Sequence, residues 1–116
     1  MLSRVTSAIE VLAEPNRRRI MDVLVDAERS VGEIVERVRL TQPAVSKHLR
    51  VLRDAGLVRA RIDGPRRLYA IRPGPLRELD AWLEPYRRMW AASLDDLERH
   101  LATPDVAAKQ PPGKGA

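Results

Sequence analysis

Apolar residues recur at helical spacing through much of the chain, and this pattern predicts a mainly helical domain. Val5, Ile9 and Leu12 follow one another at i, i+4 and i+7, which is typical of a short amphipathic helix. Pro15 should end that helix, because proline disfavours helical geometry in the residue before it. The same proline suits the first turn of a second helix, which we expect to run to about Asp26.

Two short helices with clear start signals come next. Ser30, with Glu33 three residues later, forms a capping-box pattern and predicts a third helix ending near Val38. Thr41 is a favourable N-cap for a fourth helix, residues 42–55, which should end at Gly56 in a left-handed conformation. The inward stripe of this fourth helix is expected to be Val45, Leu49 and Leu52.

A β-hairpin and a long last helix complete the pattern. Residues 57–62 and 67–71 have the character of strands, and Asp-Gly-Pro-Arg between them is a turn sequence. From Pro75 a helical stripe continues to Leu101, with Pro85 inside it, where a kink or a split near Leu83 is expected. Residues 102–116 have no periodicity and are predicted to form a disordered tail. The fold class predicted is mainly α with a small β-hairpin wing, in a single domain of residues 1–101.

Composition narrows the classes of function. The 116 residues contain no cysteine, which excludes disulfides, thiolate metal sites and cysteine nucleophiles. No apolar run is long enough to cross a membrane, and no signal peptide precedes the first helix, so a cytoplasmic protein is expected. Ser46 and His48 are two residues apart and cannot face each other on a helix, and we find no other catalytic arrangement or phosphate loop. The chain is therefore not expected to be an enzyme.

Positive charge is concentrated in one segment. The net charge is +5, but residues 41–72 hold eight basic and two acidic residues, for +6, and the remainder carries −1. Such a local excess is typical of a surface that follows nucleic-acid phosphates. Residues 17–19 are a further arginine run, and a nearby phosphate or simple solvation would both explain it.

Two short helices followed by a hairpin with a basic tip define a winged helix-turn-helix. In this arrangement the second helix, here residues 42–55, enters the DNA major groove, and the first supports it. The wing, residues 59–72, would contact the flanking backbone or minor groove. The DNA-binding residues predicted on this basis are Thr41, Gln42, Pro43, Ala44, Ser46, Lys47, Arg50, Arg53, Arg61, Arg66 and Arg67. Of these, Gln42, Ala44, Ser46 and Lys47 are expected to approach base edges. Thr41, Arg50 and Arg53 are expected to contact the backbone, and the three wing arginines a flanking minor groove or its phosphates.

The segments LAEPNRRRIMDVL (12–24) and LTQPAVSKHLRVLRDAGLVRARIDGPRRLYAI (40–71) resemble the ArsR/SmtB family of bacterial repressors. The resemblance extends over residues 5–101 and implies a homodimer joined through its first and last helices. It also implies repression of an operon at an inverted-repeat operator, with release by an inducer. The interface residues expected from it are Val5, Ile9, Leu79, Trp82, Leu83, Tyr86, Trp90, Leu94 and Leu97.

The identity of an inducer is not given by the sequence. Metal-sensing members of this family place cysteines where this chain has SVGEIVERV (30–38), and the last helix offers His100 as its only histidine. No metal and no cofactor is therefore expected. Two alternatives remain open: an architectural protein that binds DNA through charge alone, and a regulator with an apolar small-molecule pocket at the interface of the last helices.

Overall fold

The computed structural model describes residues 2–101, so the predicted tail at 102–116 lies outside the described residues. It shows a mainly helical protein with a three-stranded antiparallel sheet, in the order β1-β3-β2. This confirms the winged helix-turn-helix fold. The elements are α1 (Leu2–Leu12), α2 (Pro15–Val23), β1 (Arg29–Ser30), α3 (Val31–Val38), α4 (Gln42–Asp54), β2 (Val58–Asp63), β3 (Arg66–Ile71) and α5 (Pro73–Leu101).

The predicted helix starts at α3 and α4 are confirmed. Ser30 Oγ accepts from the Glu33 N–H (3.2 Å), and Glu33 Oε1 accepts from the Ser30 N–H (2.8 Å), which forms the reciprocal capping box. The hydrogen bond from the Ser30 backbone lowers the pKa of Glu33. Thr41 Oγ1 accepts from the Ala44 N–H (3.3 Å) and caps α4. The Ser30 box fixes the start of α3, and the Thr41 cap fixes the start of α4 directly after the helix-turn-helix turn.

Three chain reversals within residues 2–101 use residues with positive φ. Gly56 follows α4 at φ +77°, as expected, and Gly64 has φ +62° in the hairpin turn. Arg39 ends α3 in the left-handed conformation at φ 60°, and its N–H donates to the Val35 carbonyl. The left-handed backbone at Arg39 reverses the chain at once, so that only residues 39–41 separate α3 from α4.

Two details of the prediction are wrong. The second helix ends at Val23 and not near Asp26, because Leu24 caps it and Arg29 Nε donates to the Val23 carbonyl (2.7 Å). The two-residue strand β1 was not predicted. It pairs with β3 through Arg29 opposite Tyr69 and Ser30 opposite Leu68, so the sheet has three strands and not two. A strand this short has no alternation that a sequence pattern can reveal.

The core lies where α2, α3 and α4 pack over the sheet. Its fully buried large side chains come from these elements and from the start of β2: Ile20, Ile34, Val38, Val45, Leu49, Leu52, Leu57 and Val58. The inward stripe predicted for α4 is confirmed in full. Burying one face of α4 in this way leaves its opposite face available for another molecule.

The last helix, α5, is continuous through Pro85, so the predicted split near Leu83 does not occur. Pro85 has no N–H to donate to the carbonyl four residues earlier, and the helix tolerates this loss of one hydrogen bond. The chain divides into two compact units, residues 1–80 and 81–116, and α5 extends from the first into the second.

Candidate nucleic-acid interface

The exposed face of α4 carries the polar residues that the sequence assigns to DNA. Gln42, Pro43, Ser46, Lys47, Arg50 and Arg53 are all exposed, whereas Val45, Leu49 and Leu52 are buried. Ser46, Arg50 and Arg53 are spaced by four and then three residues, so they lie along one line of the helix. Ala44 is half-buried, and the Thr41 hydroxyl oxygen is occupied by the N-cap bond. The helix therefore presents a continuous polar and basic face.

The two faces of the wing carry different arginines. In the antiparallel register Ile62 is opposite Arg67 and Ala60 is opposite Tyr69, so these four residues share one face of the sheet. Asp63 opposite Arg66 and Arg61 opposite Leu68 lie on the other face. Of the wing arginines assigned to DNA, only Arg67 is on the same sheet face as Tyr69.

A groove of about 200 Å³ separates this face of the wing from α4. It is lined by Ser46, Arg50 and Arg53 of α4 and by Arg67 and Tyr69 of β3. Three guanidinium groups converge on it with two side chains that carry hydroxyl groups, and no carboxylate lines it. Guanidinium forks bind phosphate oxygens with two parallel hydrogen bonds, so the groove has the chemistry of a phosphate site.

Arg61 and Arg66 form ion pairs within the chain. Arg61 Nε lies 3.1 Å from both carboxylate oxygens of Glu28, and its Nη2 also donates to Glu28 Oε1. The hydrogen bond from Arg61 is the main cause of the lowered pKa of Glu28. Arg66 Nη2 is 3.1 Å from Asp63 Oδ2 across the turn. A phosphate would have to compete with a carboxylate for either side chain.

The arginine run at 17–19 has a structural role that neither interpretation from the sequence anticipated. Arg17 Nη1 donates to the Val11 carbonyl (3.2 Å), and Arg18 Nη1 to those of Leu12 (2.7 Å) and Ala13 (3.1 Å), at the C-terminal end of α1. Arg19 Nη2 donates to the Val38 carbonyl at the end of α3. These cations satisfy carbonyl groups that a helix terminus leaves without an intrahelical partner.

Arg17 also connects α2 to the recognition helix. Its Nε donates to Nδ1 of His48 (3.3 Å), which is half-buried in α4. Among residues 2–101, no three histidine, aspartate or glutamate side chains lie close enough together to hold a metal ion.

Apolar side chains are exposed along α5 in the unit that begins at residue 81. Trp82 (41% exposed), Tyr86, Trp90 and Leu94 (61%) are uncovered, and so is Met89. The Trp82 and Tyr86 rings are 5.1 Å apart. Leu83 and Leu97 are half-buried. The exposed set is too large and too aromatic to be a typical solvated helix face.

Three further interface residues were predicted within residues 1–80. Ile9 on α1 is exposed, and Leu79 is half-buried. Val5 is 5% exposed, so it is buried within its own chain and offers no surface to a partner. We therefore leave Val5 out of the interface proposed below.

Several contacts at this surface could not have been found from the sequence. The Glu28–Arg61 pair joins residues 33 positions apart, and the Arg17–His48 bond joins residues 31 apart. Tyr69 was not predicted as a site residue because a tyrosine in a strand usually belongs to the core. Strand alternation could have placed Arg67 and Tyr69 on the same face, which is the one available signal.

The packed helix pair, the three-residue turn and the wing define a winged-helix DNA-binding protein. Comparison with known proteins agrees, since residues 14–60 match the model for "Bacterial regulatory protein, arsR family". The chain belongs to this family and is a DNA-binding transcriptional regulator. No helix within residues 2–101 is both long and apolar enough to cross a membrane.

Three relatives illustrate the match. The HTH-type transcriptional regulator Rv2034 of Mycobacterium tuberculosis is 38% identical over 87 residues, covering 75% of this chain and 78% of the relative. The structure of reduced HlyU from Vibrio cholerae, a transcriptional activator, superposes with a TM-score of 0.61 at 32% identity, covering 76% of this chain and 90% of that one. The structure of the transcriptional repressor BigR from Xylella fastidiosa superposes with a TM-score of 0.60 at 27% identity, covering 73% of this chain and 88% of that one.

Proposed function

We propose that the chain is a homodimeric repressor that binds an inverted-repeat operator, with α4 in the major groove and the wing on the flanking backbone or minor groove. The observation that carries this proposal is the continuity between the exposed face of α4 and the arginine-lined groove beside it. Gln42, Ser46 and Lys47 supply groups that bind base edges. Arg50, Arg53 and Arg67 supply cations for the phosphates next to those bases.

The ion pairs of Arg61 and Arg66 reduce the contribution that we expect from these two residues to DNA binding. We assign the main wing contact to Arg67, because no carboxylate within residues 2–101 pairs with it, and assign smaller contributions to Arg61 and Arg66. Thr41 acts mainly through the N-cap, which orients the first turn of α4 toward DNA. Pro43 and Ala44 are expected to contribute apolar contacts there.

The homodimer is supported by the apolar face of α5. A second copy would cover Trp82, Tyr86, Trp90 and Leu94 with the same residues of its own chain, as a two-fold interface requires. Leu83 and Leu97 would lie at the edge of that face, and Ile9 and Leu79 would extend the interface onto α1 and the start of α5. Two-fold symmetry would place the recognition helices about one DNA turn, roughly 34 Å, apart.

The decisive experiment compares the promoter of the chain's own gene with a shuffled duplex of the same length. Fluorescence anisotropy at about 150 mM salt should show tighter binding to the promoter by at least about 10³-fold, the lower end for specific recognition. Ser46→Ala and Lys47→Ala should each change the base preference. Arg37→Gln, an exposed α3 substitution outside the interface, is the matched control. Equal affinity for both duplexes would contradict the repressor proposal and favour the architectural alternative.

The site of action follows from the same proposal. A repressor that binds its own operator works in the cytoplasm, on the nucleoid, and a reporter fused to the promoter should rise when the gene is deleted. A fall in reporter activity would instead assign the chain an activating role, as the name of HlyU records for that relative.

A further inference from the structure

A second basic site lies at the base of the wing, away from the groove described above. It is an open cavity of about 710 Å³ within residues 1–80, formed by α1, the end of α4, the start of β2 and the start of α5. Four arginines line it, Arg4, Arg59, Arg72 and Arg77, with Asp54 as the one acidic residue among the lining side chains. The other lining residues are glycine, proline and alanine.

The charge around this cavity is not balanced by the chain. Arg4 Nη1 pairs with Glu78 Oε2 at 2.9 Å. For Arg59, Arg72 and Arg77, the described part of the chain provides no ion-pair partner. Guanidinium groups gathered around one cavity repel each other, and this repulsion is relieved when an anion occupies the space between them.

The shape of the cavity depends on glycine and proline. Gly56 needs its positive φ of +77°, and a Cβ there would lie 3.8 Å from Pro75 Cγ. A Cβ on Gly74 would lie 3.4 Å from Arg4 Nη2, which shows that this guanidinium lies against the start of α5. The first turn of α5 contains no acidic residue, and the positive end of its dipole adds to the arginine charge.

The cavity lies on the other face of the wing from the groove beside α4. Arg59 lies on the opposite face of the sheet from Arg67, because neighbouring residues of the paired strands alternate. Asp54 ends α4, about 18 Å along the helix axis from Gln42 at its start. A volume of this size suits a small molecule.

We propose that this cavity binds a small polyanion carrying phosphate or carboxylate groups. Arg59, Arg72 and Arg77 bind its anionic groups through their guanidinium forks. Because the cavity touches the end of α4 and both wing strands at their base, its occupancy favours one arrangement of helix and wing over others. The proposal that the cavity binds an anion does not depend on the proposed repressor function. The effect of the anion on DNA binding does rest on that function.

Calorimetric titration without DNA tests the binding. Inorganic pyrophosphate and citrate are the probes, each at a fixed ionic strength set with sodium chloride. The wild-type chain should bind at least one of them saturably, with one site per chain. Arg72→Gln and Arg77→Gln should each weaken this binding at least about tenfold, because each removes a charge-assisted bond. Arg72→Lys keeps the charge but not the guanidinium fork, so its affinity for the probe should lie between those of the wild type and Arg72→Gln.

Arg37→Gln, which removes the same charge outside the cavity, should bind the probe like the wild type. Circular dichroism melts establish that each variant is folded. The proposal is overturned if neither probe binds saturably, or if the cavity variants and Arg37→Gln bind alike. It is also overturned if Arg72→Gln lowers the salt dependence of DNA binding as much as Arg67→Gln does, since the cavity would then belong to the DNA surface. A chain that fails to bind its promoter yet binds pyrophosphate refutes the repressor proposal and leaves this one standing.

Discussion

Replacing Arg67 by glutamine tests the division of the wing arginines most directly. Arg67 lies on the sheet face that adjoins α4 and lines the groove with Arg50 and Arg53. Arg61 and Arg66 lie on the other face, and each is bonded to a carboxylate. If this geometry holds on DNA, Arg67→Gln removes a phosphate contact, whereas Arg61→Gln and Arg66→Gln remove arginines that are already paired.

The size of the effect follows from counterion release. Each phosphate neutralised adds about 0.9 to the slope of log K against log salt. Arg67→Gln removes one contact from each protomer of the proposed homodimer, so it should flatten that slope by about 1.8. Raising the salt fourfold, from about 50 to about 200 mM, should then cost the variant about 12-fold less affinity than it costs the wild type. The change should be the same on promoter and shuffled DNA, because a phosphate contact carries no base information.

Anisotropy titrations at several salt concentrations measure these slopes for all three variants. Glu28→Gln provides the reverse test, because it releases Arg61 and should steepen the slope if Arg61 is within reach of DNA. The reasoning is refuted if Arg61→Gln or Arg66→Gln flattens the slope as much as Arg67→Gln. In that case DNA phosphates displace the carboxylates from Arg61 and Arg66, and the ion pairs do not decide which arginines contact DNA.

The remaining predictions concern assembly and stability. Trp90→Asp should give monomers in light scattering and lose operator affinity; a variant that stays dimeric would exclude this face as the interface. Leu49→Ala, in the fully buried stripe of α4, should reduce the free energy of unfolding by about 2–5 kcal/mol in urea melts, and Ser30→Ala by about 1 kcal/mol through loss of its cap. The pKa of Glu33 is lowered in the folded state, so its contribution to stability is present above about pH 4.5 and is lost as the pH falls through the folded pKa. Glu33→Gln should reduce this acid sensitivity in melts at pH 7 and pH 3, and an unchanged difference would contradict the capping role.

Much of the fold could be predicted from the sequence, because the helix caps and apolar stripes depend on residues that are close together in the chain. The capping box at Ser30, the N-cap at Thr41 and the left-handed Gly56 each involve residues within four positions of one another. The period of apolar residues identified the buried stripe of α4 for the same reason. The missed strand was non-local, because β1 exists only where β3 pairs with it. The end of α2 and the continuity of α5 through Pro85 were local failures, since Arg29 bonds Val23 six residues away and one lost hydrogen bond did not divide the helix.

The roles of the individual charges at the candidate site could not be predicted from the sequence either. Counting residues gave +6 for the segment 41–72, and the count treats every arginine as equivalent. The structure separates them into three groups: those paired with carboxylates, those lining the groove beside α4, and those lining the cavity at the base of the wing. Strand alternation could assign each arginine to a face of its strand, but the sequence does not show which acid lies across the sheet from it.

This separation bears on what controls the regulator. If the whole +6 faced DNA, any anion that neutralised part of it would compete directly with operator phosphates, and affinity would fall with no change of shape. Arg59 and Arg72 instead lie at the cavity, at the ends of β2 and β3 far from the turn at Gly64, where an anion and DNA can be bound at once. Binding there acts on DNA affinity through the placement of α4 and the wing and through the negative charge that it adds near the DNA surface. The two modes differ in one measurable respect. A competing anion raises the apparent Kd for the operator without limit as its concentration rises. An anion in the cavity changes that Kd only until the cavity is saturated.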